Sequence, residues 1–294
     1  MKVLIGILSA PEHLDRRDVI RTTWMKKCTD GIQCSFLLRG NSLDYENESN
    51  ALFFPEINLN ETRIRGPIFV LYEYIMRCKI WEFDFCTKVD DDVWLNVPRF
   101  KHLIHTADKR ENLYIGKISY TSITKTNMLN GFGYTCGNAF SATYRKKTSY
   151  GPYPFASGFL FILSRTLILK LRLENPYISK YHRKHCCLED VWMGKQIHTV
   201  QNLTIIDVRD MIDDWGIIVK PQMLLWHNKR KQSYRIQKVD DWMHTTPNTF
   251  NTIQWSFRCN RTSTKCGNYT FCSTRTKTKR SFTNLLSPTT SFIH

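Results

Sequence analysis

Short unbroken apolar runs alternate along this chain with stretches whose apolar residues recur every three or four positions. Val3 to Leu8 is the first run and predicts a buried strand. Ser9, Ala10, Pro11 and Glu12 follow with capping-box spacing and a proline suited to a first helical turn. Leu14, Val19, Ile20 and Trp24 then give one helical face, with Arg16, Arg17 and Arg21 near the strand end. Residues 34–38 and 51–54 read as two more strands. Between Ile68 and Trp81, Leu71, Tyr72, Ile75 and Met76 recur at helical spacing. Phe83 to Val89 reads as a buried strand that runs directly into Asp90, Asp91 and Asp92. The same reasoning predicts a helix over 98–106, a strand over 113–117, an apolar segment over 157–163, a helix over 165–173 and a late strand over 203–208. Residues 119–151 are polar, aromatic and glycine-containing, the character of loops over a site. From about Asp241 the pattern dissolves into Thr, Asn, Ser and Lys. Alternating strands and helices predict an α/β fold with a mostly parallel central sheet flanked by helices. The expected division is a folded domain over 1–240 and a basic, cysteine-containing, partly disordered extension over 241–294.

Charge narrows the function. The chain carries 42 Lys+Arg against 26 Asp+Glu, a net charge of +16. Twelve of those basic residues and only two acidic ones lie from Lys229 onward, so +10 of the +16 sits in the last stretch. A uniform nucleic-acid-binding surface is therefore a poor description of the rest. The tail reads as a solvated extension or as a surface for phosphates, anionic lipid or an acidic partner.

Ten cysteines are many for a reduced compartment. Cys28 with Cys34 and Cys78 with Cys86 look like local pairs. Cys186 and Cys187 are adjacent, and Cys259, Cys266 and Cys272 cluster near the end. No Cys-x-x-Cys spacing suggests zinc, so disulfides are preferred. Five Asn-x-Ser/Thr sequons, at Asn47, Asn60, Asn202, Asn260 and Asn268, agree with a lumenal or secreted life. The run from Met1 to Ser9 is too short to span a membrane, and no apolar run elsewhere reaches about 18 residues. That leaves a lumenal part shown without its anchor, a truncated gene or a cytosolic protein.

The acidic triplet carries the first chemistry. Three carboxylates crowded at a strand end raise one another's proton affinity unless a cation is present. A hard divalent ion such as Mn²⁺ or Mg²⁺ removes that penalty, because oxygen ligands suit it. Ligands of open α/β sheets also gather at the carboxyl ends of strands. The alternative is a solvated acidic turn. Against it stand the apolar flanks Phe83, Phe85, Val89, Val93, Trp94 and Leu95. Lys88, an odd residue inside a buried strand, is explained if it meets an anion.

Four motifs then resemble, in order, those of the inverting β-1,3-glycosyltransferases, the family that includes β-1,3-galactosyltransferases, β-1,3-N-acetylglucosaminyltransferases and the Fringe enzymes. They are the segment Arg16–Trp24, the triplet segment Lys88–Trp94, the segment Tyr153–Ser164 and the segment Leu188–Gly194 with its Glu-Asp-Val. Phe159 and Leu160 depart from small glycines that the family often has there, and Trp94 replaces a commoner phenylalanine.

The resemblance implies a GT-A fold with a metal-dependent UDP-sugar site and a type II Golgi membrane protein whose catalytic part is lumenal, associated with the membrane through an anchor not seen in this chain. It implies Asp92 as the main ligand of Mn²⁺ or Mg²⁺, with His227 as a further ligand and His198 and His244 as its competitors. Asp90 and Asp91 would meet ribose, donor sugar or metal-bound water, and Arg21 the nucleotide. Lys88 would neutralise phosphate or pin the carboxylates. Asp190 is the implied general base. Glu189, Ser157 and Gly158 would lie on the acceptor side, and Cys186 or Cys187 would fix the Glu-Asp-Val loop by a disulfide. The expected partners are a UDP-sugar donor and a glycan or glycoprotein acceptor, with no specific nucleic acid. The expected reaction is transfer of galactose or N-acetylglucosamine in β-1,3 linkage. A catalytically inactive glycan-binding relative and a basic polyanion-binding protein are the competing readings.

Overall fold

Val3, Ile5 and Ile7 face one hydrophobic layer while Leu4 faces another, as the twofold period of a strand requires. That strand, β1 (Val3–Leu8), is buried on both faces, which is why its sequence is an unbroken apolar run. The computed structural model describes residues 1–45, 48–61, 65–107, 110–123, 150–178, 188–213, 223–228, 232–245, 254–264 and 267–277.

After β1 come α1 (Leu14–Thr22), β2 (Ile32–Arg39), β3 (Ala51–Phe54), α2 (Arg65–Ile80) and β4 (Phe85–Asp90). They are followed by β5 (Val93–Leu95), α3 (Val97–Ala107), β6 (Leu113–Ile123), β7 (Tyr150–Ser164) and α4 (Arg165–Lys170). The later elements are α5 (Glu189–Ile197), β8 (Leu203–Asp207), β9 (Ile212–Asp213), β10 (Leu225–His227), α6 (Ser233–Thr245), β11 (Gln254–Thr264) and β12 (Gly267–Lys277).

Among the described residues, nine strands form one sheet in the order β11-β12-β8-β6-β7-β4-β1-β2-β3. The pairings β1–β2, β1–β4, β2–β3, β6–β8 and β8–β12 are parallel; β7 runs antiparallel to β4 and β6, and β11 to β12. Residues of α1, α3 and α6, such as Ile20, Phe100, Leu103 and Ile236, cover one face. Residues of α2, α4 and α5, such as Leu71, Leu167 and Trp192, cover the other. The α/β expectation, a mostly parallel sheet between helices, therefore holds.

Three details differ from the sequence reading. The Ser9–Glu12 segment makes no side-chain cap: His13 occupies the N-cap position of α1, and the Ser9 hydroxyl is 2.7 Å from Asp91 instead. The chain after Asp241, where the sequence shows no period, adds β11 and β12 to the main sheet. The thiols of Cys78 and Cys86 are free and buried as small core residues, so that expected pair is corrected. Cys28 and Cys34 do form a disulfide, and Cys272 is also disulfide-bonded. Cys186 and Cys187 lie outside the described residues. No helix among the described residues is long and apolar enough to cross a membrane.

Candidate active site

Strand periodicity accounts for the central contact of the site. Cys86, Lys88 and Asp90 share one face of β4, so Lys88 reaches Asp90 two positions on, with Nζ 2.5 Å from Oδ1. Lys88 also donates to Glu189 Oε1 at 2.9 Å and to the carbonyl oxygen of Gly158. Its side chain is fully buried. An ammonium has three donors, and three oxygens take them. Of the two expected roles, the structure shows the second: Lys88 pins the carboxylates, and its protons are engaged there. Burial works to discharge it, but Asp90 and Glu189 outweigh burial and hold it firmly protonated.

Gly158 on β7 is the hub of this arrangement. Its N–H donates to Asp190 Oδ2 at 3.0 Å, while its carbonyl accepts from Lys88. A methyl group there would lie 2.9 Å from Glu189 Oε1, 3.5 Å from Asp190 Oδ2 and 3.6 Å from Lys88 Nζ. Helix α5 reaches this point because it lies flat on β7: a Cβ on Gly194 would come within 2.5 Å of the Phe155 side chain. Glu189 and Asp190 open α5, where the helix dipole favours acidic side chains. Asp190 is buried, and Oδ1 also accepts from the Val191 N–H at 2.7 Å. Burial, with the Glu189 charge beside it, pushes the Asp190 carboxyl up to about 7. Glu189 goes the other way: burial raises it, but Lys88 overcomes that and keeps it ionised below the usual range. Burial also pushes Asp90 up to about 7, with Asp92 and Glu189 adding to it and Lys88 opposing.

Asp91 points away from this hub. Its Oδ2 accepts from Ser9 Oγ and lies 2.7 Å from His13 Nδ1, and its Oδ1 accepts from Arg16 Nη1 at 2.9 Å. Burial would raise it, but His13, Ser9 and Arg16 outweigh burial and hold it low. Asp91 therefore ties the loop after β1 to the end of β4. Ser9 and His13 were not foreseen. The signal was there: His13 and Arg16 stand three apart at the start of a helix that follows a strand end, so they share a face.

Arg21 is likewise engaged elsewhere. It pairs with Asp18 at 2.8 Å and with Glu48, and it donates to the Ser49 carbonyl. Among the described residues its partners are these, on α1 and the segment before β3, and none belongs to the triplet.

The second sheet, β5-β10-β9, brings in the late histidine. Antiparallel pairing sets His227 opposite Val93, next to Asp92. His227 Nε2 is then 3.5 Å from Asp92 Oδ1, and the Asn228 N–H donates to the Asp92 carbonyl at 2.7 Å. Phe159 stacks on the imidazole with centroids 5.2 Å apart. Trp24 Nε1 donates to the Val93 carbonyl at 3.1 Å, which gives the Trp of the first motif a task in pinning this strand. His198 instead caps the far end of α5, with Nδ1 against the Lys195 carbonyl, and His244 lies in the last turn of α6. Ser157 is half-buried on β7 beside the hub.

A divalent ion fits Asp92 and His227 by donor chemistry. A carboxylate oxygen and an imidazole nitrogen at this separation can share one ion with bonds of about 2.1 Å. Among the described residues no group of three or more His, Cys, Asp or Glu side chains is arranged to hold a metal. Two protein ligands suffice where substrate phosphates complete the shell, as is usual for Mg²⁺-type sites.

The Fringe-like family model matches residues 60–213, just over half of the chain. That span includes the triplet, Gly158, Glu189 and Asp190. Beta-1,3-galactosyltransferase 7 of Arabidopsis thaliana is 23% identical over 225 residues, covering 68% of this chain. The chain spans 55% of that relative's length. The solved structure of the galactosyltransferase LgtC, in complex with donor and acceptor sugar analogs, superposes with a TM-score of 0.44 at 10% identity, over 84% of this chain and 98% of that one. On the match across more than half its length, the chain belongs to the Fringe-like glycosyltransferase family.

Proposed function

We propose that this protein is an inverting UDP-sugar transferase that moves galactose or N-acetylglucosamine to a glycan hydroxyl in β-1,3 linkage. The observation that carries the reading is convergence at Gly158. One main-chain residue accepts a hydrogen bond from Lys88, which holds Asp90 at the end of β4, and donates one to Asp190 at the start of α5. A strand-end carboxylate and a buried base candidate are thereby fixed to one place.

Inversion needs one in-line displacement, and so one base on the attacking hydroxyl. Asp190 serves as that base. Its carboxyl is buried, and its proton affinity lies near neutral pH, so it takes a proton well yet is substantially ionised at pH 7. The N–H groups of Gly158 and Val191 fix its orientation. Asp90, with its side chain 30% exposed, stays open to the donor while Lys88 holds its other side. Asp92 and His227 would hold a divalent ion, Mn²⁺ or Mg²⁺, which supplies charge neutralisation to the departing diphosphate. The Cys28–Cys34 disulfide supports a setting in an oxidising lumen such as the Golgi.

The test is transfer and donor hydrolysis with a panel of UDP-sugars, with and without Mn²⁺, on wild type, Asp92→Ala and Asp190→Asn. Asp190→Asn should lower transfer at least about a hundredfold while donor binding persists. Asp92→Ala should remove the Mn²⁺ dependence of donor binding. Transfer by Asp190→Asn at the wild-type rate would sink the assignment of the base.

A further inference from the structure

Lys88 is a charged side chain with no exposure to solvent. A fully buried ammonium needs compensation from several oxygens, and it has three, from three separate elements: Asp90 on β4, the Gly158 carbonyl on β7 and Glu189 on α5. The last two bracket the candidate base. Gly158 donates to Asp190, and Glu189 is its chain neighbour. Nothing is left on Lys88 for a substrate, and Glu189 already spends Oε1 on Lys88.

We infer that the Lys88–Glu189 ion pair is a positioning device for Asp190, fixing the hub around Gly158 and governing proton uptake at the base without contacting donor or acceptor. This rests on the reading of Asp190 as the base. The charged and titratable groups facing Asp190 among the described residues are few. Glu189 comes from its own helix, Lys88 and Asp90 come from β4, and Tyr114 comes from β6. β7 contributes the Gly158 N–H. Tyr114 is neutral, because burial pushes its hydroxyl well up, and its oxygen accepts from the Ala156 N–H. The balance at Asp190 is therefore struck between one cation and two carboxylates. Glu189 adjoins Asp190 and disfavours its ionisation. Lys88 favours it, and cancels much of the field of Glu189 and Asp90 by pairing with both.

Opposite signs make this testable. Glu189→Gln leaves Lys88 charged and removes a carboxylate, so Asp190 should ionise more readily. The acid limb of the pH–rate profile should move down by about one pH unit. Lys88→Met removes the cation and leaves three crowded carboxyls, so the limb should move up. The double variant should fall between the two. Both single variants break the same ion pair, so a purely structural role would move the two limbs alike or leave both in place. Either of those results overturns the inference. Should Lys88→Met fail to fold, Glu189→Gln decides alone: a limb that stays put or rises overturns it. The two readings fail separately. If Asp190→Asn transfers like wild type, the base is wrong; if Asp190→Asn is inactive and the limbs move together, only the positioning device is wrong.

Discussion

The main-chain N–H of Gly158 lies 3.0 Å from Oδ2 of Asp190, across the contact between β7 and α5. No side chain could stand at 158 without entering the hub, because its first carbon would sit 2.9 Å from Glu189 Oε1. Contacts that short force a neighbour to shift. The neighbour here is a carboxylate held by Lys88, and the next is the candidate base itself.

Gly158→Ala should therefore damage catalysis more than folding. A displacement of about 1 Å at a catalytic group can cost about a hundredfold in rate. Transfer should fall by about ten- to a hundredfold, with a melting temperature within a few degrees of wild type. An unchanged rate would mean that the hub relaxes freely.

The sequence carried this site unevenly. The triplet, Glu189 and Asp190 were legible because their residue types sit at motif spacing beside apolar strands and helix starts. Gly158 was visible as part of a motif, but its role as hub depends on how closely α5 approaches β7, which no local pattern states. Arg21 shared a helix face with residues near the strand end, and only tertiary structure reveals that Glu48 claims it. The β11–β12 hairpin is hidden in the sequence for a different reason. Its alternation runs through Trp255, Phe257, Tyr269 and Phe271, but threonines and charges between them mask the period. Lys88 in an apolar strand points to an anion, and two carboxylates of this chain, with a main-chain carbonyl, fill that place.

The Phe159 ring lies against His227 with an interplanar angle of 24°. A ligand whose orientation is fixed by packing binds metal more tightly than a free one. Phe159→Ala should weaken Mn²⁺ binding by about tenfold in an electron paramagnetic resonance titration with UDP present. Phe159→Tyr keeps the stack and should bind as wild type. Equal affinity in the alanine variant would show that β10 alone orients the imidazole.

Asp91 and Asp92 are adjacent, yet their substitutions should separate. Asp91 is buried against Ser9, His13 and Arg16, and losing one partner of such a group costs about 3 kcal/mol. Asp91→Ala should therefore lower the melting temperature by several degrees, whereas Asp92→Ala should act mainly on metal-dependent donor binding. The pH behaviour follows from the lowered Asp91 carboxyl. Its stabilisation is present above the ordinary carboxylate value of 3.8 and is lost as pH falls through its lower folded value. Denaturant melts from pH 7 down to pH 2 should converge for wild type and Asp91→Ala at the acid end.

Asp190 has the opposite linkage. Its carboxyl is raised from 3.8 to about 7, chiefly by burial. Between those values the folded chain keeps a proton that the unfolded chain has released, so stability falls as pH rises through that window. Above about 7 the cost is fully present, and below about 4 it is absent. Asp190→Asn cannot ionise and escapes it. An amide has one oxygen for the two N–H groups that the carboxyl accepts, so the variant should melt below wild type near pH 4, gain on it steadily up to pH 7 and hold that gain at pH 8, while transfer is lost throughout. Curves that run parallel across this range would place the Asp190 proton at its ordinary value and remove the argument that burial prepares it as a base.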